Sequence, residues 1–546
     1  MPSIWLRDPL AVGNDGGLTQ SRADRITWFF LLLGIAACTV RFGLRFPLWH
    51  DESFLAINFA RRDFAGILAP LDYHQVAPPL FLLAQMLLVR IAGFTEWTLR
   101  FIPFGCMVAS FVLFRRLARH LLERRAFVFA VAIFSVSYWL IRYSAEAKPY
   151  AVDVLIALLL IGLFIRWRDK PDRPLPWRVL IALCGLSLVA FGLSFPSVVI
   201  GGGVCVSMAI AAFARRSKTP LLSAAIVGAA LGVGLVTVYW LHLSQRNPAE
   251  HVFMRDYWEA AFPPFQTPAK LAPWFFATLT GEMMPYPIGG KDAGSIFTFI
   301  LVIAGIVTLA RARRFEFLAF LLAPIVLAFV AAAMKRYPFG APSRCQLYLA
   351  PTFCLMAGIG SAALIGRLGP SARQKTSTYF LIALAVIGAS TMVRDVLHPA
   401  KTTTDTMFRD FARLFWGAGH LAGEQNLCLR EDFGISFTPT IDAKHSLLAN
   451  YLCNYYIYAP PRDVNPINAS GPATVRVANY RANASFSPKL RRQWIREFEA
   501  EHDLSYQGSV LFHIPDVDRH DRVRQVDVIE TMTFTPHKPP PFITPR

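Results

Sequence analysis

Eleven stretches of this chain are apolar and long enough, or nearly so, to cross a bilayer: 26–44, 99–114, 126–141, 150–166, 179–194, 197–214, 221–243, 296–310, 316–333, 345–366 and 378–393. Nothing constrains a fold more. In hydrocarbon a backbone must satisfy its own hydrogen bonds, so each crossing stretch has to be a helix. Composition agrees: 54% of the residues are hydrophobic, with 44 Phe and 12 Trp to face lipid and its interfaces. The expected fold is mainly α, a polytopic membrane protein. Its net charge of +19 could suggest nucleic acid, but Lys and Arg fall in short clusters between the apolar runs. That is the pattern of membrane topology, and no nucleic-acid partner is expected.

A twelfth apolar stretch, Pro78–Gly93, decides the threading. If it does not cross, the loops 115–125, 166–178, 215–220, 311–314 and 367–375 share one side, carrying five, five, three, three and three Lys or Arg. The positive-inside rule then places that side in the cytoplasm. Pro78–Gly93 is about sixteen residues long, contains Gln85 and Arg90, and reads as an interfacial helix.

The expected organisation follows. Residues 1–25 form a cytoplasmic leader with no cleavable signal, and 26–393 a transmembrane domain with a first outer loop 45–98 and another at 244–295. Residues 394–530 form a small extracytoplasmic α/β domain, read from the alternating runs 473–480 and 508–514 and a helical stretch 488–503. Residues 531–546 are a Pro-rich disordered tail. The setting is a cell's inner (plasma) membrane, multi-pass. Cys428 and Cys453 lie in the tail, where an extracytoplasmic setting allows a disulfide or leaves two thiols.

Nearly every unusual polar residue falls outside. Asp51 and Glu52 follow the first helix directly, beside His50, where a carboxylate can act as general base, hold a divalent cation, or cap a helix. His74 and Gln75 precede the Pro pair of the interfacial helix. The short hairpin 142–150 holds Glu146, Lys148 and Tyr150; Lys148 suits a phosphate as a point charge, and Glu146 complements Asp51 or orients Lys148. Arg336 and Arg344 bracket a Pro/Gly turn with Tyr337, cations on the side where positive charge is disfavoured, and so candidates for an anion. Carboxylates, separated cations and greasy helices together suit a lipid-linked phosphate substrate. Cationic side chains would stabilise the phosphate as it leaves a sugar, and a carboxylate would deprotonate the attacking hydroxyl.

Asp51-Glu52, Ala77–Phe81, Tyr143–Tyr150 and Arg336–Gly340, in that order, resemble the lipid-linked-sugar glycosyltransferases of the GT-C superfamily. The resemblance covers about 26–393 and is closest to the protein-mannosyltransferase-like branch, with its aminoarabinose and lipopolysaccharide galacturonosyl transferases. It implies a polyprenyl-phosphate sugar donor, no nucleotide cofactor, and inverting transfer on the extracytoplasmic face to an envelope glycolipid, glycan or protein. It also implies that Asp51 is the catalytic carboxylate and Glu146 a second acidic site residue, with a divalent metal cation near them in some members. This chain departs from the motif in carrying Lys148 before Pro-Tyr where Arg is usual, and in the spacing of His74 from the Pro pair. Two other readings are a transporter or flippase of a lipid-linked or anionic solute, which needs ionisable residues at mid-membrane, and an assembly scaffold working through its tail.

Overall fold

A computed structural model describes residues 18–168, 177–215, 218–245, 248–417, 424–429, 446–459, 474–481, 488–517 and 523–537. The chain runs α1 (Gln20–Gly43), α2 (His50–Arg61), α3 (Pro79–Ala92), α4 (Glu96–Leu121), α5 (Arg124–Ser135), α6 (Tyr138–Tyr143), α7 (Tyr150–Arg168), α8 (Trp177–Leu193), α9 (Ser197–Arg215) and α10 (Lys218–Val238). It continues with α11 (Pro248–Tyr257), α12 (Pro268–Thr280), α13 (Ile296–Arg311), α14 (Phe315–Ala333), α15 (Ala350–Gly366), α16 (Pro370–Leu397) and α17 (Thr403–Ala412). The C-terminal part adds β1 (Glu424–Leu429), α18 (Ser446–Tyr458), β2 (Thr474–Arg481), α19 (Pro488–His502), β3 (Leu504–Val517) and β4 (Val523–Pro536).

This is a mainly helical membrane protein. Among the described residues, six helices are long and apolar enough to cross a bilayer: Gln20–Gly43, Glu96–Leu121, Leu221–Leu243, Phe315–Ala333, Ser343–Gly366 and Pro370–Leu397. The other five expected crossings are α5, α7, α8, α9 and α13, which are shorter in their apolar part; α5 is broken at Val136 and resumes as α6. Outward-facing Phe29, Leu32, Phe213, Leu222, Ile300 and Val386 would be costly in water and suit lipid. The 14-residue α3 reaches about 21 Å, short of the hydrocarbon thickness.

Ion pairs fix which ends meet. Asp24 near the start of α1 binds Arg115 (2.9 Å) and Arg119 (3.1 Å) near the end of α4. At the opposite end of α1, Arg41 binds Asp395 of α16 at 2.7 Å, both buried. The end of α10 is tied to the first loop through His242 Nδ1 and the Leu68 carbonyl, 2.9 Å apart. The loop before α13 is tied to α6 by the Tyr138 N–H donating to the Pro287 carbonyl at 2.8 Å. The segments 45–98, 144–149, 244–295, 334–349 and the start of the tail therefore gather at one end of the bundle.

The tail does not hang free. Helix α18 packs on α2 and α17 on α18, and Phe408, Trp416, Tyr451 and Cys453 share one apolar core with the membrane helices. The sheet has the order β1-β2-β4-β3, with β1 and β2 parallel and the other pairs antiparallel. Val477 faces Met532 in register, and Val475, Val477, Ile495, Leu504, Met532 and Phe534 form a second core under α19. The expected disordered segment 531–546 needs correcting at its start. Residues 531–536 are the end of β4, with Met532 and Phe534 fully buried, because the strand's alternation continues through TMTF. The rest, from 538, lies outside the described residues.

Candidate active site

The turn of chain between α1 and α2 sets the site. Helix α2 begins at His50, two residues earlier than a cap at Asp51 would place it, and Glu52 does the capping, its Oε2 accepting from the Trp49 N–H at 3.5 Å. Glu52 is fully buried. Arg100 of α4 donates to both its oxygens, from Nε at 2.9 Å and Nη2 at 2.8 Å, and the Ala147 N–H donates to Oε1 at 2.9 Å. Burial opposes ionisation of Glu52, but the Arg100 guanidinium and these donors hold its pKa below the ordinary carboxylate range. Glu52 thus joins α2, α4 and the 143–149 loop. Its whole acceptor capacity on that side is spent on structure.

Asp51, next to it, points into the opening and is 21% exposed. Lys148 Nζ donates to Asp51 Oδ1 at 3.1 Å and to Gln75 Oε1 at 2.6 Å. Arg344 Nε lies 3.7 Å from Asp51 Oδ2, too far for a hydrogen bond, and among the described residues neither atom has another hydrogen-bond partner. Burial alone would raise the Asp51 carboxyl; the charges of Lys148, Arg344 and Lys401 outweigh it and hold the pKa at about 2. Gln75 reaches Lys148 because Tyr73 and His74 adopt left-handed backbone (φ 57° and 50°) and reverse the chain. Each such residue costs about 1–3 kcal/mol, and the buried Tyr73 ring, stacked on Phe54 at 5.1 Å, offsets part of it.

Glu146 is fully buried. Its Oε1 receives Arg142 Nε at 3.5 Å and Lys401 Nζ at shorter range, while Oε2 has no hydrogen-bond partner among the described residues. Trp49 is a platform for two cations, Lys401 at 4.1 Å from the ring centre and Arg344 at 5.9 Å; the far side of Arg344 meets Trp258, also at 5.9 Å. Lys148, Arg344, Arg142, Lys401 and Arg100 gather around Asp51, Glu52 and Glu146, with Asp405 also acting on Lys401 and Glu96 on Arg100. Among the groups nearest the opening cations outnumber carboxylates, which favours an anion.

The structure thus brings together Asp51, Glu52, Glu146, Lys148, Gln75 and Arg344, and Tyr150 packs edge-on to Tyr143 beside them, 5.2 Å between ring centres. Arg336 does not join: it is exposed, because the turn after α14 carries it away while Tyr337 folds inward and donates to the Cys345 carbonyl at 3.1 Å. His50 faces the tail, where its charge acts on Asp405; His74 stays half-buried in the reversed turn. Cys428 and Cys453 are not joined in a disulfide: Cys453 packs against the Ser53 carbonyl and Cys428 against the Tyr451 hydroxyl.

Sequence reasoning missed Arg100 and Lys401, and it placed Trp258 in the outer loop 244–295 without a role. Arg100 had a signal, a charge inside an expected crossing. Lys401 had none, being an ordinary residue in a long polar segment. For the divalent cation expected at Asp51 and Glu146, each carboxylate has one oxygen held by a cationic side chain and one without a hydrogen-bond partner among the described residues. Among the described residues no three His, Cys, Asp or Glu side chains converge as ligands.

Residues 76–240 match the family described as dolichyl-phosphate-mannose-protein mannosyltransferase, a stretch that includes the Pro78-Pro79 and Tyr143–Tyr150 motifs. Among solved structures the chain is similar to ArnT from Cupriavidus metallidurans bound to undecaprenyl phosphate, at 12% identity and a TM-score of 0.47, over 92% of this chain and 97% of that one. It is also similar to the oligosaccharyltransferase AglB from Archaeoglobus fulgidus in complex with an inhibitory peptide and a dolichol-phosphate, at 12% identity and a TM-score of 0.38, over 82% and 69%. No curated protein matches it in sequence.

Proposed function

We propose that this chain, which resembles the GT-C superfamily glycosyltransferases, moves a sugar from a polyprenyl-phosphate donor to an acceptor hydroxyl at the extracytoplasmic face of the inner membrane. The acceptor is an envelope glycolipid, glycan or protein. The N-terminus lies in the cytoplasm and the tail outside. The observation that carries the reading is Asp51, a carboxylate set between Lys148 and Arg344 with one oxygen unpartnered, at the end of the bundle where the loops outside the basic set converge.

The donor phosphate takes up Lys148 and Arg344, both of which can stabilise negative charge as it develops on the leaving group. In doing so it draws from Asp51 two of the three cations that depress its pKa, so substrate binding itself raises the basicity of the carboxylate. The acceptor oxygen then attacks the anomeric carbon from the face opposite the phosphate. Its proton passes to Asp51 Oδ2, the bond from carbon to phosphate oxygen breaks with its electron pair on the phosphate, and polyprenyl phosphate leaves with the sugar inverted. Exposed apolar side chains on the surrounding helices keep the lipid tail in hydrocarbon while the headgroup reacts in the basin.

The test is transfer by the detergent-solubilised protein from radiolabelled polyprenyl-phosphate sugars, with nucleotide sugars as the control. Transfer from the nucleotide donor alone, or undiminished transfer by Asp51→Asn, overturns the proposal.

A further inference from the structure

Four residues past the end of α16, the tail sends Lys401 back into the basin. Its ammonium binds Glu146 Oε1 and sits over the Trp49 ring at 4.1 Å, the same indole that Arg344 touches from 5.9 Å. Cations gathered on one ring repel each other, and a further anion among them relieves that repulsion. Among the described residues Arg344 Nε is buried without an acceptor, which a phosphate oxygen would supply, and Glu146 Oε2 is buried without a donor, which a sugar hydroxyl would supply. Resting on the reading above, we propose that Lys401 is a ligand of the donor phosphate, passing from Glu146 to the phosphate when the lipid binds and freeing Glu146 to accept a sugar hydroxyl. The tail is then part of the active site.

The exchange is a matter of charge alone, with no bond made or broken. Before binding, one carboxylate is shared by Arg142 and Lys401; afterwards the anionic phosphate holds Lys401, and Glu146 keeps Arg142. Burial pushes the Lys401 amine down to about 7, with the Arg142 and Arg41 charges adding to the effect and Glu146 and Glu52 opposing it. Asp51 and Asp405 face it as well. Near neutrality the empty site therefore holds a partly deprotonated amine, and a bound phosphate draws the proton back on. Affinity for an anionic lipid should fall as pH rises through about 7.

The experiment uses the full chain in detergent and a synthetic polyprenyl methyl phosphodiester, whose single charge does not titrate near neutrality. Binding is measured for the unaltered protein, Lys401→Met and Lys401→Arg at about pH 6 and about pH 8.5. Lys401→Met is expected to weaken binding about tenfold or more, the usual scale for a charge-assisted hydrogen bond. Lys401→Arg should restore most of the affinity and flatten its pH dependence, since arginine stays charged. Unchanged binding by Lys401→Met, or an unchanged pH profile in Lys401→Arg, overturns the proposal; should Lys401→Met fail to fold, the arginine profile decides. If the unaltered protein binds the lipid but transfers no sugar, the glycosyltransferase reading falls while the binding ratios still judge Lys401. If it binds no lipid, both fall.

Discussion

Arg100 grips Glu52 with two hydrogen bonds, 2.9 and 2.8 Å long, and that grip aims the neighbouring Asp51 into the basin. Arg100 also donates to the Phe46 carbonyl at 2.6 Å, so the α1–α2 turn, α2 and α4 close on one guanidinium. Both partners are buried, and removing one leaves the other's charge uncompensated, a loss of about 3–5 kcal/mol. Arg100→Met should therefore lower the thermal midpoint of the detergent-solubilised protein markedly, and lose activity as a consequence. Asp51→Asn should leave the midpoint close to that of the unaltered chain. Equal midpoints for both variants would count against this division of labour.

Asp51→Asn keeps the shape of the site and removes its base. Transfer should drop by about 100- to 10,000-fold, the range that a positioned general base contributes. Binding of polyprenyl phosphate should hold or tighten, since Lys148 and Arg344 are freed from a competing carboxylate. Turnover measured beside lipid binding checks both halves of the expectation.

Asp405 supplies a pH signature of tail docking. It accepts from the Thr402 hydroxyl at 2.7 Å and from Asn450 of α18 at 3.0 Å, and Asn450 also donates to the Leu48 carbonyl before α2 at 3.4 Å. Burial pushes its carboxyl from 3.8 up to about 6, against the opposing charges of His50 and Lys401. A folded pKa above the unfolded one means that the native state holds the proton more tightly. Its contribution is complete below about pH 4, declines as pH rises towards about 6, and is lost above that. Asp405→Asn, which cannot ionise, should stabilise the protein relative to the unaltered chain at about pH 7.5 more than at about pH 4.5. Thermal midpoints at the two values test this, and a difference of the opposite sign would refute it.

Loop charge made the convergence of the polar loops legible before any coordinates, because basic residues between apolar runs report topology directly. The strands and helix of the tail were legible too, since alternation and the 488–503 pattern are local signals. What stayed hidden was long-range. Lys401 and Glu146 are 255 residues apart, and no local pattern in HPAKTTT marks a lysine that turns back into a site. The same holds for the tail as a whole: a polar composition reads as a separate domain, and only the packing of α18 on α2 shows that its apolar face is the other half of the membrane domain's core. Glu52 was ambiguous for a related reason. Its partner Arg100 was visible as an odd charge in an apolar run, but nothing in the sequence joined the two.

Arg336 and Arg344 stand eight residues apart in one loop and look interchangeable in sequence, yet the structure separates them. Arg344 is half-buried between Trp49 and Trp258 and faces Asp51 at 3.7 Å, whereas Arg336 lies in solvent. A guanidinium in that slot can present paired donors to a phosphate, and a lysine there would lose the fork and the stacking. Arg344→Lys should therefore raise the donor KM about tenfold or more, on the scale of one lost charge-assisted hydrogen bond, with a smaller change in kcat. Arg344→Met should do so more strongly. Arg336→Ala should leave both constants within about twofold, as surface substitutions usually do. Steady-state kinetics against the lipid-linked donor separate the two residues, and a large donor effect at Arg336 with none at Arg344 would reverse the assignment of the phosphate's place.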